Sequence, residues 1–189
     1  MKKIDFIKMH GLGNDFVIIK NNIDFLKNSK TDFLRKIGSR NFGIGCDQIL
    51  IMNRYNKKIV NLAIYNNDGT EAGACGNGVR CVASYLMKKQ SINKIIVKTR
   101  KEELNCWIKD SDSYVNMGKP IFEWSEIPLL KENKNQILNI NGYQLYCVSM
   151  GNPHGVIFFK NLDQLKKVKI EEIGPIIQNN INFPEGINV

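Results

Sequence analysis

Long apolar runs are missing from this 189-residue sequence. No stretch approaches the roughly 20 apolar residues that a membrane-spanning helix requires. The beginning of the chain also lacks the apolar segment of a signal peptide, because Asp5, Lys8 and His10 interrupt it. These absences predict a protein without membrane association, and we expect it to be cytoplasmic.

Histidine and paired cysteines are equally scarce. The five cysteines are an odd number without a C-x-x-C pair, and there are two histidines. This pattern argues against a disulfide framework and against a zinc site, so we expect no bound metal. Reduced cytosolic thiols fit better. The residues concerned are Cys46, Cys75, Cys81, Cys106, Cys147, His10 and His154.

Positive charge is abundant but dispersed. The chain has 27 basic and 18 acidic residues and a formal net charge of +9. Such a balance can indicate an anionic partner, yet the lysines are spread along the whole chain and form no zinc finger, ribonucleoprotein signature or basic amphipathic helix. We therefore expect no nucleic-acid partner, whereas small acidic ligands fit the composition.

The most informative stretch is 60–87, which predicts a strand, a tight turn and a helix. Apolar residues alternate over 60–65 with the period of a half-buried strand. Asn67-Asp-Gly69 is typical of a turn, and apolar residues recur at helical spacing from Val79 onward. The sequence therefore places Cys75, which is followed by Gly-Asn-Gly, where a helix begins.

Two interpretations of Cys75 follow from that position. The N–H groups of a first helical turn attract anions and favour a thiolate over a thiol, which indicates a reactive cysteine beside an anion site. Free cysteine is also among the most buried residue types, which indicates a small side chain that caps an ordinary helix. These residues alone leave both interpretations open.

The rest of the first half predicts more strands. Strands are expected at 3–9 and 16–19, with a glycine-containing turn between them that presents Asn14, and a short helix at 31–37. A glycine-rich loop at 41–48 leads into an apolar run at 49–52. Three further strands are expected at 94–99, 103–108 and 114–117, and Cys46 and Cys106 are interpreted as core residues.

The best domain boundary lies near residue 118, since Gly118-Lys-Pro and the polar segment 131–136 interrupt the pattern. It divides the chain into domains 1–118 and 119–189. The second part predicts a strand at 143–150, a turn at 151–155 that carries Asn152 and His154, a strand at 156–159, and helices at 163–168 and 171–178.

Several motifs taken together resemble the diaminopimelate epimerase family. Each is weak alone, but all occur in the family's order over the whole chain. They are Met9-His-Gly-Leu-Gly-Asn-Asp-Phe16, Gly43-Ile-Gly-Cys-Asp-Gln48, Asn66-Asn-Asp-Gly-Thr-Glu71, Ala74-Cys-Gly-Asn-Gly-Val-Arg-Cys81, Met150-Gly-Asn-Pro-His154 and Phe183-Pro-Glu-Gly-Ile-Asn-Val189.

The resemblance implies an α/β (α+β) fold with two pseudo-symmetric domains, each a curved mixed β-sheet around a central helix. It implies one catalytic cysteine from each domain, substrate in the cleft between them, and no cofactor. Cys75 matches the first catalytic cysteine, and His154 matches a residue thought to modulate cysteine ionisation. Positions that match substrate-binding residues are Asn14, Gln48, Asn66, Gly76, Asn77, Asn152 and Asn188.

The implied reaction is the epimerisation of LL-2,6-diaminopimelate to the meso isomer in lysine and peptidoglycan synthesis. The sequence departs from the family pattern after Asn188-Val189, where a Glu-Arg pair and the second catalytic cysteine would follow. The second domain is therefore expected to be incomplete, and we expect no efficient epimerisation from the chain as given. Pairing of two copies as a homodimer stays open.

Two other functions stay open. Another isomerase of the same fold, such as a proline racemase or a phenazine-biosynthesis-type isomerase, would share the reactive cysteine. The Gly-Asn-Gly after Cys75 and the amides of the two loops favour the diaminopimelate member. A non-catalytic basic binding module would account for the net charge and the missing segment.

Overall fold

The computed structural model describes residues 3–20, 26–73, 75–127, 129–131 and 137–189. The chain forms two compact units, Met1–Met117 and Gly118–Val189. No helix in these ranges is both long enough and apolar enough to cross a membrane.

Ten strands and four helices follow one another along the described part of the chain. A 3-10 turn at Trp124–Glu126 lies between the seventh and the eighth strand. The elements are β1 (Phe6–Gly11), β2 (Asn14–Lys20), α1 (Leu26–Gly38), β3 (Gln48–Tyr55), β4 (Ile59–Asn66), α2 (Gly76–Gln90), β5 (Lys94–Lys98), β6 (Glu103–Lys109), β7 (Asp112–Val115), β8 (Ile137–Ile140), β9 (Tyr143–Ser149), β10 (Pro153–Val156), α3 (Leu162–Lys166) and α4 (Ile170–Gln178).

The first unit is built on a seven-stranded sheet whose strands lie in chain order from β1 to β7. The pairs β2–β3 and β4–β5 are parallel and the other pairs are antiparallel, so the sheet is mixed. Each parallel pair is joined by a helix, α1 in the first case and α2 in the second. This confirms a mixed α+β fold for the unit that carries Cys75.

The two helices lie on opposite faces of this sheet, as the handedness rule requires. Crossovers between parallel strands are right-handed, and β2 and β4 run in opposite directions, so their crossover helices are placed on opposite sides. Two separate cores result. Val82, Leu86 and other residues of α2 pack with Phe16 and Leu50, whereas Leu34 of α1 packs with the alternate strand residues, such as Ile49.

The second unit has its own core and a three-stranded antiparallel sheet in the order β10-β9-β8. Leu145 and Cys147 of β9 are buried against Ile177 of α4, and Phe183 and Ile187 complete the same cluster. The unit is therefore held together by side chains from the whole length of 118–189, including the last residues of the chain.

The structure corrects the predicted strand at 156–159 and the predicted turn at 151–155. The chain reverses at 150–152, where Gly151 has a φ of +88° and the N–H of Met150 donates to the main-chain oxygen of Asn152 at 3.1 Å. The strand therefore begins at Pro153, and it pairs with β9 through Val156. His154 lies within this strand rather than on the turn.

Candidate active site

Three polar side chains are brought to one edge and one face of the sheet by strand register alone. Gln48 pairs with Phe16 on one side and with Asn66 on the other. Asn14 lies two residues before Phe16, so its side chain points to the same face of β2. That face carries the core formed with α2, and α2 begins at the same edge, just after β4 ends. The predicted residues Asn14, Gln48 and Asn66 therefore lie around the start of α2.

Cys75 is the residue immediately before α2 and caps that helix. Its backbone is extended, with φ of −158° and ψ of 97°, and its Sγ accepts a hydrogen bond from the N–H of Gly78 at 3.3 Å. Hydrogen bonding to an otherwise unpartnered N–H of the first turn is the normal function of an N-cap side chain. Cys75 therefore fits both interpretations of the sequence. It caps the helix, as a structural cysteine would, and it remains partly exposed, as a reactive cysteine must.

The expected stabilisation of a Cys75 thiolate is outweighed in the structure. Burial raises the pKa of the thiol, while the N–H groups of Gly78 and Asn77 lower it, and the net direction is upward. Desolvation penalises the charged form, and two main-chain donors do not offset it here. The upward shift in pKa favours the thiol form of Cys75, which weighs against the thiolate interpretation of the helix start.

Asn14 links this thiol to a carboxylate. The Sγ of Cys75 donates to Oδ1 of Asn14 at 3.7 Å, and Nδ2 of Asn14 donates to Oδ2 of Asp47 at 2.9 Å. The same Oδ2 accepts the N–H of Asp15 at 3.0 Å. The hairpin tip and the loop before β3 are thus joined through one carboxylate.

Asp47 belongs to a charged cluster. Arg40 donates to Oδ1 of Asp47 at 2.7 Å and to Oδ1 of Asp15 at 2.8 Å, and Lys8 donates to Oδ2 of Asp15 at 2.8 Å. The Arg40 guanidinium, together with Lys8 and the N–H of Asp47, holds the pKa of Asp15 well below its usual range against the opposing effect of desolvation. The Arg40 guanidinium thus donates to both carboxylates and holds them side by side.

Gln48 and Asn66 form a chain of amides. Nε2 of Gln48 donates to Oδ1 of Asn66 at 3.1 Å, and Nδ2 of Asn66 donates to Oγ1 of Thr70 at 3.1 Å. The amide oxygen of Gln48, Oε1, is buried and has no hydrogen-bond partner within the described part of the chain. A buried acceptor without a partner is costly, and this one is available to a donor from a ligand.

The first turn of α2 faces a cleft of about 910 Å³ in the first unit, which Gly76, Asn77 and Arg80 line together with His10 and Gly11. Nη2 of Arg80 donates to Oδ1 of Asn77 at 3.1 Å, which fixes the side chain of Asn77. The cleft therefore meets the predicted residues Gly76 and Asn77 at the positive end of the helix dipole.

The other predicted residues lie together in the second unit. His154 pairs with Asn188, and the N–H of Gly155 donates to the main-chain oxygen of Asn188 at 2.7 Å. Because a carbonyl oxygen can only accept, Nδ1 of His154 donates to the main-chain oxygen of Asn152 at 2.9 Å, and this bond fixes the ring. Asn152, His154 and Asn188 thus form one cluster on β10 and the segment beside it.

The other four cysteines are core residues. Cys46, Cys81, Cys106 and Cys147 are buried, and burial raises the pKa of Cys106 to about 12 and that of Cys147 to about 11. The interpretation of Cys46 and Cys106 as packing residues is confirmed. Within the ranges that the structure describes, no group of three His, Cys, Asp or Glu residues could hold a metal ion.

Sequence reasoning missed the part played by Asp47, Arg40 and Thr70. Asp47 stands between two residues that were assigned roles, Cys46 and Gln48, but nothing in its local sequence indicates that it bonds to Asn14, which lies 33 residues away. The antiparallel pairing of β3 with β4 does put Gln48 opposite Asn66, and that pair could have been expected once the two strands were placed side by side.

The family model and two relatives of the chain carry the same name. A family model described as diaminopimelate epimerase matches residues 6–123. The chain is 38% identical, over an alignment of 195 positions, to a diaminopimelate epimerase from Carboxydothermus hydrogenoformans. The alignment covers 98% of this chain and 70% of that protein. The chain is 33% identical over 201 residues to a second diaminopimelate epimerase, from Methanothrix thermoacetophila, covering 100% of this chain and 69% of that protein.

A solved structure shares the fold at low sequence identity. A phenazine biosynthesis protein of the PhzF family from Bacillus anthracis superposes with a TM-score of 0.61 at 15% identity, covering 89% of this chain. This chain spans 60% of the length of that protein. The likeness shows the fold class that the sequence predicted.

Proposed function

Because the chain belongs to the diaminopimelate epimerase family, we propose that it functions in the interconversion of LL- and meso-2,6-diaminopimelate, a step that supplies lysine and peptidoglycan synthesis. The family consists of isomerases, and the substrate is a small zwitterion. The observation that carries the proposal is the position of Cys75, a partly exposed thiol at the first turn of α2 with Asn14 beside it.

The chemical problem is the weak acidity of the α-hydrogen. A site without an electron-withdrawing cofactor must stabilise the developing carbanion with fixed dipoles and hydrogen-bond donors. The N–H groups of Gly76 and Asn77 lie at the positive end of α2 and beside the cleft. We assign the α-carboxylate of the substrate to this helix start, where its charge and that of the carbanion are both favoured.

Cys75 is the general acid or base for one face of the α-carbon. In the direction that begins with Cys75 as a thiol, a base on the opposite face removes the α-proton and the C–H electron pair stays on carbon. The S–H proton of Cys75 then passes to the carbanion, a new C–H bond forms with inverted configuration, and Cys75 becomes a thiolate. In the reverse direction this thiolate removes the proton.

The base on the opposite face is a group other than the four remaining cysteines, since Cys46, Cys81, Cys106 and Cys147 are buried in the cores. The amides complete the proposed site. Oε1 of Gln48 would accept a hydrogen bond from a substrate ammonium group, which supplies the partner that this buried oxygen lacks. Asn66 would orient the same end of the substrate.

In the second unit, we assign substrate binding to Asn152 and Asn188, and an electrostatic influence on cysteine ionisation to His154. The support is their clustering on β10 and the segment beside it, with the ring of His154 fixed by the Asn152 carbonyl. Neutral amides suit a zwitterion because they donate to carboxylates and accept from ammonium groups.

The proposal is tested by two measurements on the protein purified from its native cells. Diaminopimelate, but not proline, should slow the alkylation of Cys75 by iodoacetamide, followed by mass spectrometry of the modified peptide. Loss of the α-proton of diaminopimelate in deuterated water should be abolished by Cys75→Ala and retained by Cys46→Ala. Protection by proline instead would favour a racemase of the same fold, and equal loss in both variants would contradict the role of Cys75.

A further inference from the structure

We propose that Asp47 is a positioning residue that fixes the amide of Asn14 with its oxygen toward Cys75. The reactive thiol then faces an acceptor rather than a donor. The proposal rests on the proposed function only where it gives the proton of Cys75 a use in catalysis. The orientation of the Asn14 amide can be tested without any turnover of substrate.

The amide of Asn14 lies between two partners, Cys75 and Asp47. Asn14 can present either its oxygen or its nitrogen to Cys75, because the two ends of an amide have nearly the same shape. A carboxylate that is ionised can only accept hydrogen bonds. Oδ2 of Asp47 lies 2.9 Å from Nδ2 of Asn14, so the nitrogen of the amide must face Asp47 and the oxygen must face the sulfur.

Asp47 is itself held on both of its oxygens. Oδ1 accepts from Arg40 at 2.7 Å, and Oδ2 accepts from the N–H of Asp15 at 3.0 Å. The N–H of Asp47 in turn donates to Oδ1 of Asp15 at 2.9 Å. Rotation of the Asp47 side chain would break two charge-assisted hydrogen bonds at once, so the carboxylate is a fixed reference for the amide.

The oxygen of the Asn14 amide faces the sulfur of Cys75. Oδ1 of Asn14 lies 3.7 Å from Sγ of Cys75, a distance at which a thiol donates. An acceptor at this position stabilises the S–H form, and a reversed amide would offer N–H groups to the thiolate instead. The orientation set by Asp47 therefore adds to burial in favouring the S–H form of Cys75.

In the part of the chain that the structure describes, few charged groups lie near the thiol of Cys75. Asp47 is the carboxylate that acts on Cys75, and it opposes the thiolate. Arg40 neutralises Asp47 from the far side of the carboxylate. On α2 the thiol of Cys75 acts on Cys81, which Arg80 also influences, and on β3 the side chain beside the start of α2 is the apolar Leu50. A substitution of Asp47 therefore removes both the hydrogen bond that Asn14 donates to it and its own charge, so a test must separate these two effects on Cys75.

The test is the pH profile of Cys75 alkylation by iodoacetamide, measured peptide by peptide with mass spectrometry. In Asp47→Ala the Asn14 amide is free to turn, and we expect the midpoint of the profile to move down by about one pH unit, a tenfold change in the thiolate fraction at a given pH. Asp32→Ala removes a carboxylate that pairs with Arg35 on α1, and it serves as the control that leaves the midpoint unchanged.

A double-mutant cycle separates orientation from charge. In an Asn14→Ala background no amide can turn, so adding Asp47→Ala should move the midpoint by much less than it does in the wild-type chain. An equal shift in both backgrounds would mean that Asp47 acts through space by its charge, and an upward or absent shift in Asp47→Ala would also overturn the proposal.

Asp47→Asn provides a second variant if Asp47→Ala does not fold. It retains the volume and one acceptor oxygen, which Asn14, Arg40 and the N–H of Asp15 must then share. We expect a downward shift smaller than that of the alanine variant, and a midpoint equal to or above that of the wild type would contradict the proposal. Failure of diaminopimelate to protect Cys75, with these shifts intact, would contradict the proposed substrate and leave the positioning role standing.

Discussion

The Sγ of Cys75 accepts a hydrogen bond from the main-chain N–H of Gly78 at 3.3 Å. One sulfur atom therefore caps α2 and carries the proposed chemistry, and two substitutions separate these functions. Cys75→Ala removes the cap and should lower the free energy of unfolding by about 1 kcal/mol. Cys75→Ser restores a preferred N-cap oxygen, and its stability should stay within about 0.5 kcal/mol of the wild type.

Both variants should lose the proton-transfer activity, because neither a methyl group nor an aliphatic hydroxyl replaces a thiol of suitable acidity. We expect α-proton exchange to fall by at least about a hundredfold in each. Urea unfolding monitored by circular dichroism gives the stabilities, and proton NMR in deuterated water gives the exchange rate. A serine variant that retains the wild-type exchange rate would show that Cys75 is only a cap.

The reactivity of the five thiols should differ sharply in the folded protein. Cys75 is partly exposed and the other four are buried, so iodoacetamide should modify Cys75 alone until the protein unfolds. Since burial raises the pKa of Cys75, its alkylation should be slow at neutral pH and should increase with pH beyond the range of an unhindered thiol. Peptide mapping against pH measures both effects, and a Cys75 profile that reaches its plateau below that of free cysteine would contradict the upward direction.

Much of the first unit could be predicted from the sequence because its signals are local. Continuous apolar runs mark β2 and β3, the alternation of apolar residues places β4, and the spacing after Gly78 places α2. Once β3 is set beside β4, the period of two puts Gln48 and Asn66 on the face that α2 covers. These positions needed no knowledge of distant contacts.

The second unit shows where local reasoning missed a signal. Asn141 and Gly142 have φ of 50° and 80°, and they form the two-residue turn between β8 and β9. Asn-Gly between apolar segments is a strong indication of a hairpin, yet the strand at Ile137–Ile140 was not predicted. The direction of the pKa shift of Cys75 could not be read from the sequence at all. It depends on how burial, which raises the pKa, compares with the main-chain donors, which lower it, and no sequence pattern reports that packing.

Stability at acid pH should depend on Asp15. Its pKa is lowered in the folded protein by Arg40 and Lys8, so its contribution is present above the unfolded value of about 3.9 and is lost as the pH falls toward the folded value. Asp15→Asn should lower the free energy of unfolding at neutral pH by about 1 kcal/mol, a modest effect because the partner side chains are exposed. Its stability should then fall less steeply than that of the wild type below about pH 4.

Urea titrations at several pH values measure this slope. Asp32→Asn is the matched control, since Asp32 and Arg35 are exposed and lie 3.9 Å apart. The control should follow the acid dependence of the wild type. An Asp15→Asn curve parallel to the wild-type curve throughout the acid range would mean that the Arg40 cluster does not act on Asp15 in solution.

The loop before β3 should depend on the absence of a side chain at Gly43. A Cβ there would lie 1.9 Å from the main-chain oxygen of Lys36 and 2.7 Å from that of Ile37, so the end of α1 leaves no space for it. Backbone atoms cannot move aside as a flexible side chain does, and Gly43→Ala should destabilise the protein by at least about 2 kcal/mol.

Because the same loop carries Asp47, the displaced loop should also release Asn14 and lower the pH midpoint of Cys75 alkylation. Phe42→Ala is the neighbouring control, since 93% of that side chain's surface is exposed, and it should change stability by no more than about 0.5 kcal/mol. Equal stability of the two variants would show that the loop does not pack against the end of α1 in solution.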